Sequence, residues 1–265
     1  MSFRGKSGTL WRVPVLLAAA ILAAAVLAVA AIPSFAVAEQ ATPTGDAATA
    51  QSLAEMLRDA RTVISNNEDL INNPAIGDKH LSGSRVLNDA IQLYKKATGV
   101  EPTAIDPNSY QGRLMRALMA AIVQVTDENQ VTINEKGMGF KGFIPAVFGR
   151  LVSEAFNGLA KGEAVMKVTA PPDLVRNRKA LPDPWETEVI ETKLLSPQWP
   201  RGQPYSAMVE TDGRQAYRFA VPEYYTASCL ACHGTPKGAL DITGYPKEGR
   251  KLGDLGGVMS ITLFR

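Results

Sequence analysis

The chain has 265 residues, of which 46% are hydrophobic, and this is enough apolar material for one globular domain with a real core. Its formal net charge of +2 depends on Arg4, Lys6 and Arg12, because no acidic residue precedes Glu39. Without residues 1–38 the formal net charge is 2 − 3 = −1. A near-neutral body without a basic stripe excludes nucleic-acid binding as the main function.

Residues 1–38 have the pattern of a secretory signal peptide. Basic residues precede an uncharged run from Val13 to Ile32, and Ala36-Val37-Ala38 supplies the small residues of a cleavage site. We therefore predict cleavage after Ala38 and export, to a bacterial periplasm or a thylakoid lumen. The alternative is an uncleaved membrane anchor, because an uncharged run of this length just spans a bilayer. In both cases the rest of the chain lies outside the cytoplasm.

Residues 39–48 are mostly small and polar and are predicted to form a linker, followed by a single domain over residues 49–265. Apolar residues at helical spacing predict helices over residues 49–71, 84–98 and 110–125. Gly137 to Gly142 is predicted to be a loop. Pro145 suits the first position of a fourth helix that continues to Leu159.

The pattern changes after residue 160. Residues 163–169, 205–211, 215–222 and 258–264 are predicted to be strands, and a further helix is predicted over residues 185–195. Thr211-Asp212-Gly213-Arg214 is a good hairpin turn, because Asp-Gly tolerates the positive φ that such a turn needs. Helices followed by a small antiparallel sheet indicate an α+β fold.

The chain contains only two cysteines and two histidines, and three of these four residues lie between positions 229 and 233. Cys229-Leu230-Ala231-Cys232-His233 is the C-x-x-C-H motif that attaches c-type haem. On a helical turn, residues i, i+3 and i+4 share one face, so two thiols can reach two vinyl groups of a porphyrin while His233 reaches the iron. We expect Gly234 to leave room beside the ring. The sequence thus predicts one covalent haem c with His233 as its proximal ligand.

Three other interpretations of the cysteine pair stay open. A zinc site would need a fourth ligand, which only His80 or a carboxylate can supply. A thioredoxin-like redox pair would place the cysteines after a strand and at the start of a helix, and this is partly met here. A short-loop disulfide is the simplest alternative, although it would stabilise the fold little.

The second axial position of the iron is not determined by the sequence. A cysteine is excluded because both thiols are used. Of the remaining candidates, His80 is expected to lie exposed on a loop, and methionines commonly fill gaps in a core. An open coordination position is also compatible with the sequence. The identity of the second axial ligand affects both the reduction potential of the iron and its binding of small gases. The candidate side chains are His80, Met56, Met115, Met119 and Met138.

Several separate motifs resemble the Tll0287-like family of c-type haem domains. They are residues 224–234 around the attachment motif, Tyr245-Pro246, residues 253–261, the stretch from Arg176 to Glu186, and residues 140–148. The resemblance covers most of residues 50–265. It implies a PAS-like fold holding one haem c, in a sensor-type domain that often precedes kinase or chemoreceptor modules. This chain departs from the family in two ways, since it ends at Arg265 without an output module and has no spare cysteine for the second axial position.

Within that stretch, Arg176 and Arg178 are candidate partners for the haem propionates, because a guanidinium matches carboxylate geometry. Trp185 is expected to pack on the porphyrin or in the core. The alternative is a proline-rich surface loop with solvated arginines.

Three functions compete at this stage. The first is a redox- or gas-responsive sensor that acts with a partner protein, and the second is an electron-transfer cytochrome. The third is an enzyme such as a peroxidase, which is disfavoured because only His80 is left as a distal acid or base. We expect no enzymatic activity. A membrane contact is expected only if the N-terminal segment is not cleaved.

Overall fold

The computed structural model describes residues 45–265, which belong to one compact unit. The predicted signal peptide and residues 39–44 of the predicted linker lie outside the described residues. None of the described helices is long and apolar enough to cross a membrane.

Six α-helices make up the first half of the described chain. The first begins at Gly45, earlier than predicted, so that residues 45–48 of the expected linker are helical. It stops at Asn66, where the side chain of Asn67 bonds back to the Val63 carbonyl, and the chain resumes in a short second helix. The short fifth helix was not predicted. The helices are α1 (Gly45–Asn66), α2 (Glu68–Ile71), α3 (Gly83–Thr98), α4 (Tyr110–Glu128), α5 (Gln130–Asn134) and α6 (Pro145–Leu159).

Four antiparallel strands follow, in the order β1-β4-β3-β2 across the sheet. All four predicted strands are present, and the α+β class with helices N-terminal to the sheet is confirmed. The predicted hairpin turn joins β2 to β3, with φ of 52° at Asp212 and 70° at Gly213. The PAS-like character of the sheet stays a prediction. The strands are β1 (Ala164–Thr169), β2 (Tyr205–Thr211), β3 (Arg214–Tyr224) and β4 (Leu255–Phe264).

Side-chain alternation along the strands gives the sheet two different faces. One face, which includes Met166, Phe219 and Ile261, packs on α1 and α6 and forms the main core together with residues of α4. The other face carries a smaller apolar cluster under α7 (Pro184–Val189) and the π-helical turn Ile190–Leu194. These two elements replace the single helix predicted over residues 185–195. Trp185 is half-buried and packs against this smaller cluster, which agrees with the core alternative of its prediction.

Candidate functional site

The C-x-x-C-H motif lies in the segment that connects β3 to β4. The backbone of Tyr225 donates to Asp254 at 3.0 Å, and Gly253 donates to Tyr225 at 2.9 Å, so the two ends of the segment are joined. Between them, α8 (Leu230–His233) makes one turn, closed by His233 N to Cys229 O at 3.0 Å. The two inner strands therefore hold the predicted helical turn at one end of the sheet.

Both cysteines of this turn are half-buried free thiols. The hydroxyl of Thr226 lies 3.2 Å from Cys229 Sγ. Burial, followed by the charge of nearby Asp241, raises the pKa of the Cys232 thiol. Both sulfur atoms are thus available on one short turn, as attachment to two vinyl groups requires.

The ring of His233 is held on two sides. Its Nδ1 lies 2.8 Å from Oε2 of Glu248, and the ring stacks on Tyr225 with 4.9 Å between centroids. Burial opposes ionisation of Glu248, but hydrogen bonds from Arg176 and His233 lower the pKa of this carboxyl. Burial and the charge of Glu248 raise the pKa of Tyr225 to about 12. Because the ionised carboxylate accepts a hydrogen bond from Nδ1–H, the proton of a neutral imidazole stays on Nδ1, and Nε2 is the nitrogen left with a lone pair for a metal.

Arg176 organises the surroundings of this histidine. Its Nε and Nη2 donate to the two oxygens of Glu248 at 2.9 and 3.1 Å, and Nη2 also donates to the Cys232 carbonyl at 3.1 Å. Its Nη1 donates to Asp241 at 2.6 Å and to the Thr243 hydroxyl at 3.4 Å. These contacts use all five N–H donors of the guanidinium.

The two arginines predicted to bind propionates therefore differ. The structure brings Arg176 to the motif, where its donors bond to protein oxygens, and its contact with a propionate stays a prediction. Arg178 lies exposed in a short 3₁₀ turn and forms no ion pair within residues 45–265. The contribution of Arg176 in this structure is to position Glu248 and the Cys232 backbone.

The candidates for the second axial position lie in different surroundings. The His80 side chain is 83% exposed and faces Asp78 at 3.2 Å, as expected for a loop histidine. Met56, Met115 and Met119 are buried in the main core, where packing accounts for them. Met138 is exposed.

Two glycines of the site permit close contacts within the protein. A Cβ on Gly234 would lie 2.5 Å from the Leu230 carbonyl oxygen, so the space expected beside the haem is needed by the turn itself. A Cβ on Gly256 would lie 2.6 Å from the Tyr225 ring, and glycine at this position lets that ring reach His233.

Sequence reasoning missed Glu248, Asp241 and Tyr225. Glu248 is distant in sequence from both His233 and Arg176, and no spacing rule links the three. Only general chemistry could have suggested a carboxylate partner for His233, because a metal-binding histidine usually donates its second ring N–H to a carboxylate, a carbonyl or water.

The donor set fits a c-type haem. Two free thiols share one turn, and the adjoining imidazole is held through Nδ1 with Nε2 left over. Within residues 45–265, the motif included, no group of three or more His, Cys, Asp or Glu side chains is arranged to hold a bare metal ion.

Comparison with known proteins gives one match. A family model described as Tll0287-like matches residues 40–263. No curated protein and no solved structure matches the chain.

Proposed function

The chain belongs to the Tll0287-like family, and on that premise we propose that it is an exported protein carrying one covalent haem c, with His233 as an iron ligand. The observation that carries this proposal is the hydrogen bond of 2.8 Å between His233 Nδ1 and Glu248, beside two free thiols. Oriented histidines of this kind are typical of metal ligands.

In this proposal Cys229 and Cys232 form the covalent link. Each thiol would add its S–H across one vinyl double bond of the porphyrin, forming one C–S and one C–H bond with no other product. Both residues are half-buried and belong to the same helical turn. Export to a compartment outside the cytoplasm is part of the same proposal, because haem is attached there.

Glu248 and Arg176 set the properties of His233. An ionised carboxylate on Nδ1 makes the imidazole a stronger donor, which favours the oxidised state of a bound iron. Arg176 shares the charge of that carboxylate and limits the effect. When bound, haem supplies a one-electron redox centre and, where a coordination position is open, a site for small gases.

We propose a redox- or gas-responsive sensor module that acts with a partner protein. The carboxylate that contacts His233 is joined through Arg176 to Asp241 and to the Cys232 backbone. A change in the charge of His233 would therefore alter the electrostatic surroundings of Arg176, Asp241 and the Cys232 backbone. The segment also joins β3 to β4, so such a change can reach the sheet.

An electron-transfer cytochrome is the second candidate, favoured by the partial exposure of Cys229, Cys232 and His233. We propose no enzymatic role, because the other histidine, His80, lies on an exposed loop.

Two measurements test the proposal. Haem on the purified protein should resist extraction by acidified acetone, whereas any haem retained by the Cys229→Ala/Cys232→Ala double variant should be extracted. Resistant haem in the double variant would contradict attachment at these sites. In optical spectra, ready CO binding by the reduced protein supports the sensor. Six-coordinate iron in both redox states, with no CO binding, supports the carrier.

A further inference from the structure

Tyr225 connects the start of β4 to the candidate iron ligand. Its backbone N–H donates to the Asp254 carbonyl at 3.0 Å, and its own carbonyl accepts from Gly253 N at 2.9 Å. The residue is 6% exposed, so its ring is held inside the protein. That ring stacks on His233 with 4.9 Å between the centroids and 27° between the planes. Tyr225 is therefore fixed to the end of the sheet through its backbone and contacts the histidine through its ring.

A β-bulge in β4 makes room for the Tyr225 ring. The pairing of β4 with β3 passes from Leu255 to Gly257, so Gly256 is the extra residue of the bulge. Bulges are common next to functional sites, where they redirect a side chain. A Cβ on Gly256 would lie 2.6–2.8 Å from three consecutive carbons of the Tyr225 ring, which places it over the face of that ring. The ring can therefore keep this position only while residue 256 is glycine.

The stack restricts the plane of the His233 imidazole. The torsion that turns a planar ring on its Cβ has a broad energy profile, so the side chain alone does not fix the plane. The hydrogen bond between Nδ1 and Glu248 restrains one nitrogen, but such a bond tolerates about 30° of bending. The Tyr225 ring narrows the range that is left, because the imidazole cannot turn toward a ring that it already contacts.

We propose that Tyr225 is a positioning residue, whose ring, held against the Gly256 bulge, sets the plane of the His233 imidazole relative to the haem. The proposal rests on haem attachment by the C-x-x-C-H motif. The plane of an axial imidazole determines how its π orbital overlaps the iron d orbitals, and hence how unpaired spin is distributed over the porphyrin. Glu248 thus controls the charge on the ligand, and Tyr225 controls its direction. Because Tyr225 is also fixed to the start of β4, a shift of the ligand would reach the sheet through this contact.

The test is the proton NMR spectrum of the ferric, cyanide-bound holoprotein. Cyanide occupies the position opposite His233, so the order and spread of the four haem methyl shifts report the plane of this one imidazole. Tyr225→Phe keeps the ring and should keep the wild-type shift pattern. Tyr225→Leu removes the stack and should change the order or the spread of the four shifts. Gly256→Ala displaces an intact ring and should also change them.

The matched control is Gly257→Ala, which makes the same change on the same strand. Its Cβ would meet the Thr169 carbonyl oxygen at 3.3 Å rather than Tyr225, so this change can lower stability but should leave the methyl shifts unaltered. Tyr225→Leu is the deciding variant if Gly256→Ala does not fold.

Three results would overturn the proposal while haem attachment stands. They are a wild-type shift pattern in Tyr225→Leu, a pattern in Tyr225→Phe altered as much as in Tyr225→Leu, and an equal alteration in Gly257→Ala. Colourless protein with free thiols would instead overturn haem attachment, and this proposal with it.

Discussion

Replacement of Glu248 by glutamine tests the contact that orients His233. Oε2 of Glu248 accepts from His233 Nδ1 at 2.8 Å and from Arg176 at 3.1 Å, while Oε1 accepts from Arg176 at 2.9 Å. A glutamine has one acceptor oxygen, so either the histidine or the arginine loses its partner. Each hydrogen bond to a charged group contributes about 1.5–3 kcal/mol, so the variant should also be less stable by about that amount.

The more specific expectation for Glu248→Gln concerns the reduction potential. Changing the partner of a metal ligand typically alters metal affinity or activity by 10- to 100-fold. A change of this size in the relative stability of oxidised and reduced iron corresponds to about 60–120 mV for a one-electron couple. The negative charge of Glu248 stabilises oxidised iron, so its removal should raise the reduction potential by about this amount. The haem should stay covalently attached. The measurement is a spectroelectrochemical titration.

The matched control for this prediction is Asp173→Asn. Asp173 pairs with Arg250 at 2.8 Å, but its side chain is 69% exposed, and solvent screens its charge. Its removal should leave the potential unchanged. The reasoning is refuted by an unaltered potential in Glu248→Gln, or by shifts of equal size in both variants.

Three further predictions concern stability and ligation. Asp59 is buried, and burial followed by the charge of Glu55 raises its pKa from 3.8 to about 6. Because the pKa of Asp59 is higher in the folded than in the unfolded state, the free energy of unfolding should fall by up to about 3 kcal/mol as the pH rises from 3.8 to about 6. Urea unfolding curves of Asp59→Asn should lack this fall. A pH profile identical to that of the wild type would contradict the prediction. Gly234→Ala should lower the free energy of unfolding by about 1–3 kcal/mol, because the new Cβ meets the Leu230 carbonyl. Gly158→Ala is the control: nothing lies within 4 Å of its Cβ, so this change should be neutral or slightly stabilising. Equal effects of the two changes on the unfolding midpoint would refute the steric argument. His80→Ala should leave the visible spectrum unaltered, and a shifted haem band would instead make this histidine a ligand.

The elements of the fold could largely be predicted from the sequence. Strand alternation placed β2 correctly at both ends, and Asp212-Gly213 identified its turn. The break after Asn66 and the π-helical turn after Val189 could not be predicted, because each depends on how the chain meets neighbouring elements. Local patterns specify elements well and their exact ends poorly.

The site was predictable only as far as its residues are adjacent in sequence. Cys229, Cys232 and His233 follow from one motif, and their helical turn is present. The partners of His233 come from separate parts of the chain, and only the folded segment brings Glu248 and Arg176 together. The propionate role predicted for Arg176 stays a prediction, and the contacts of its five donors with other parts of the protein could not be read from the sequence.

Mass spectrometry of the protein produced together with a cytochrome c maturation system tests the central claim most directly. We expect the polypeptide to carry the mass of one haem, and the haem-bearing peptide to contain Cys229, Cys232 and His233 with neither thiol open to alkylation. A colourless product whose two cysteines are both fully alkylated would contradict the account.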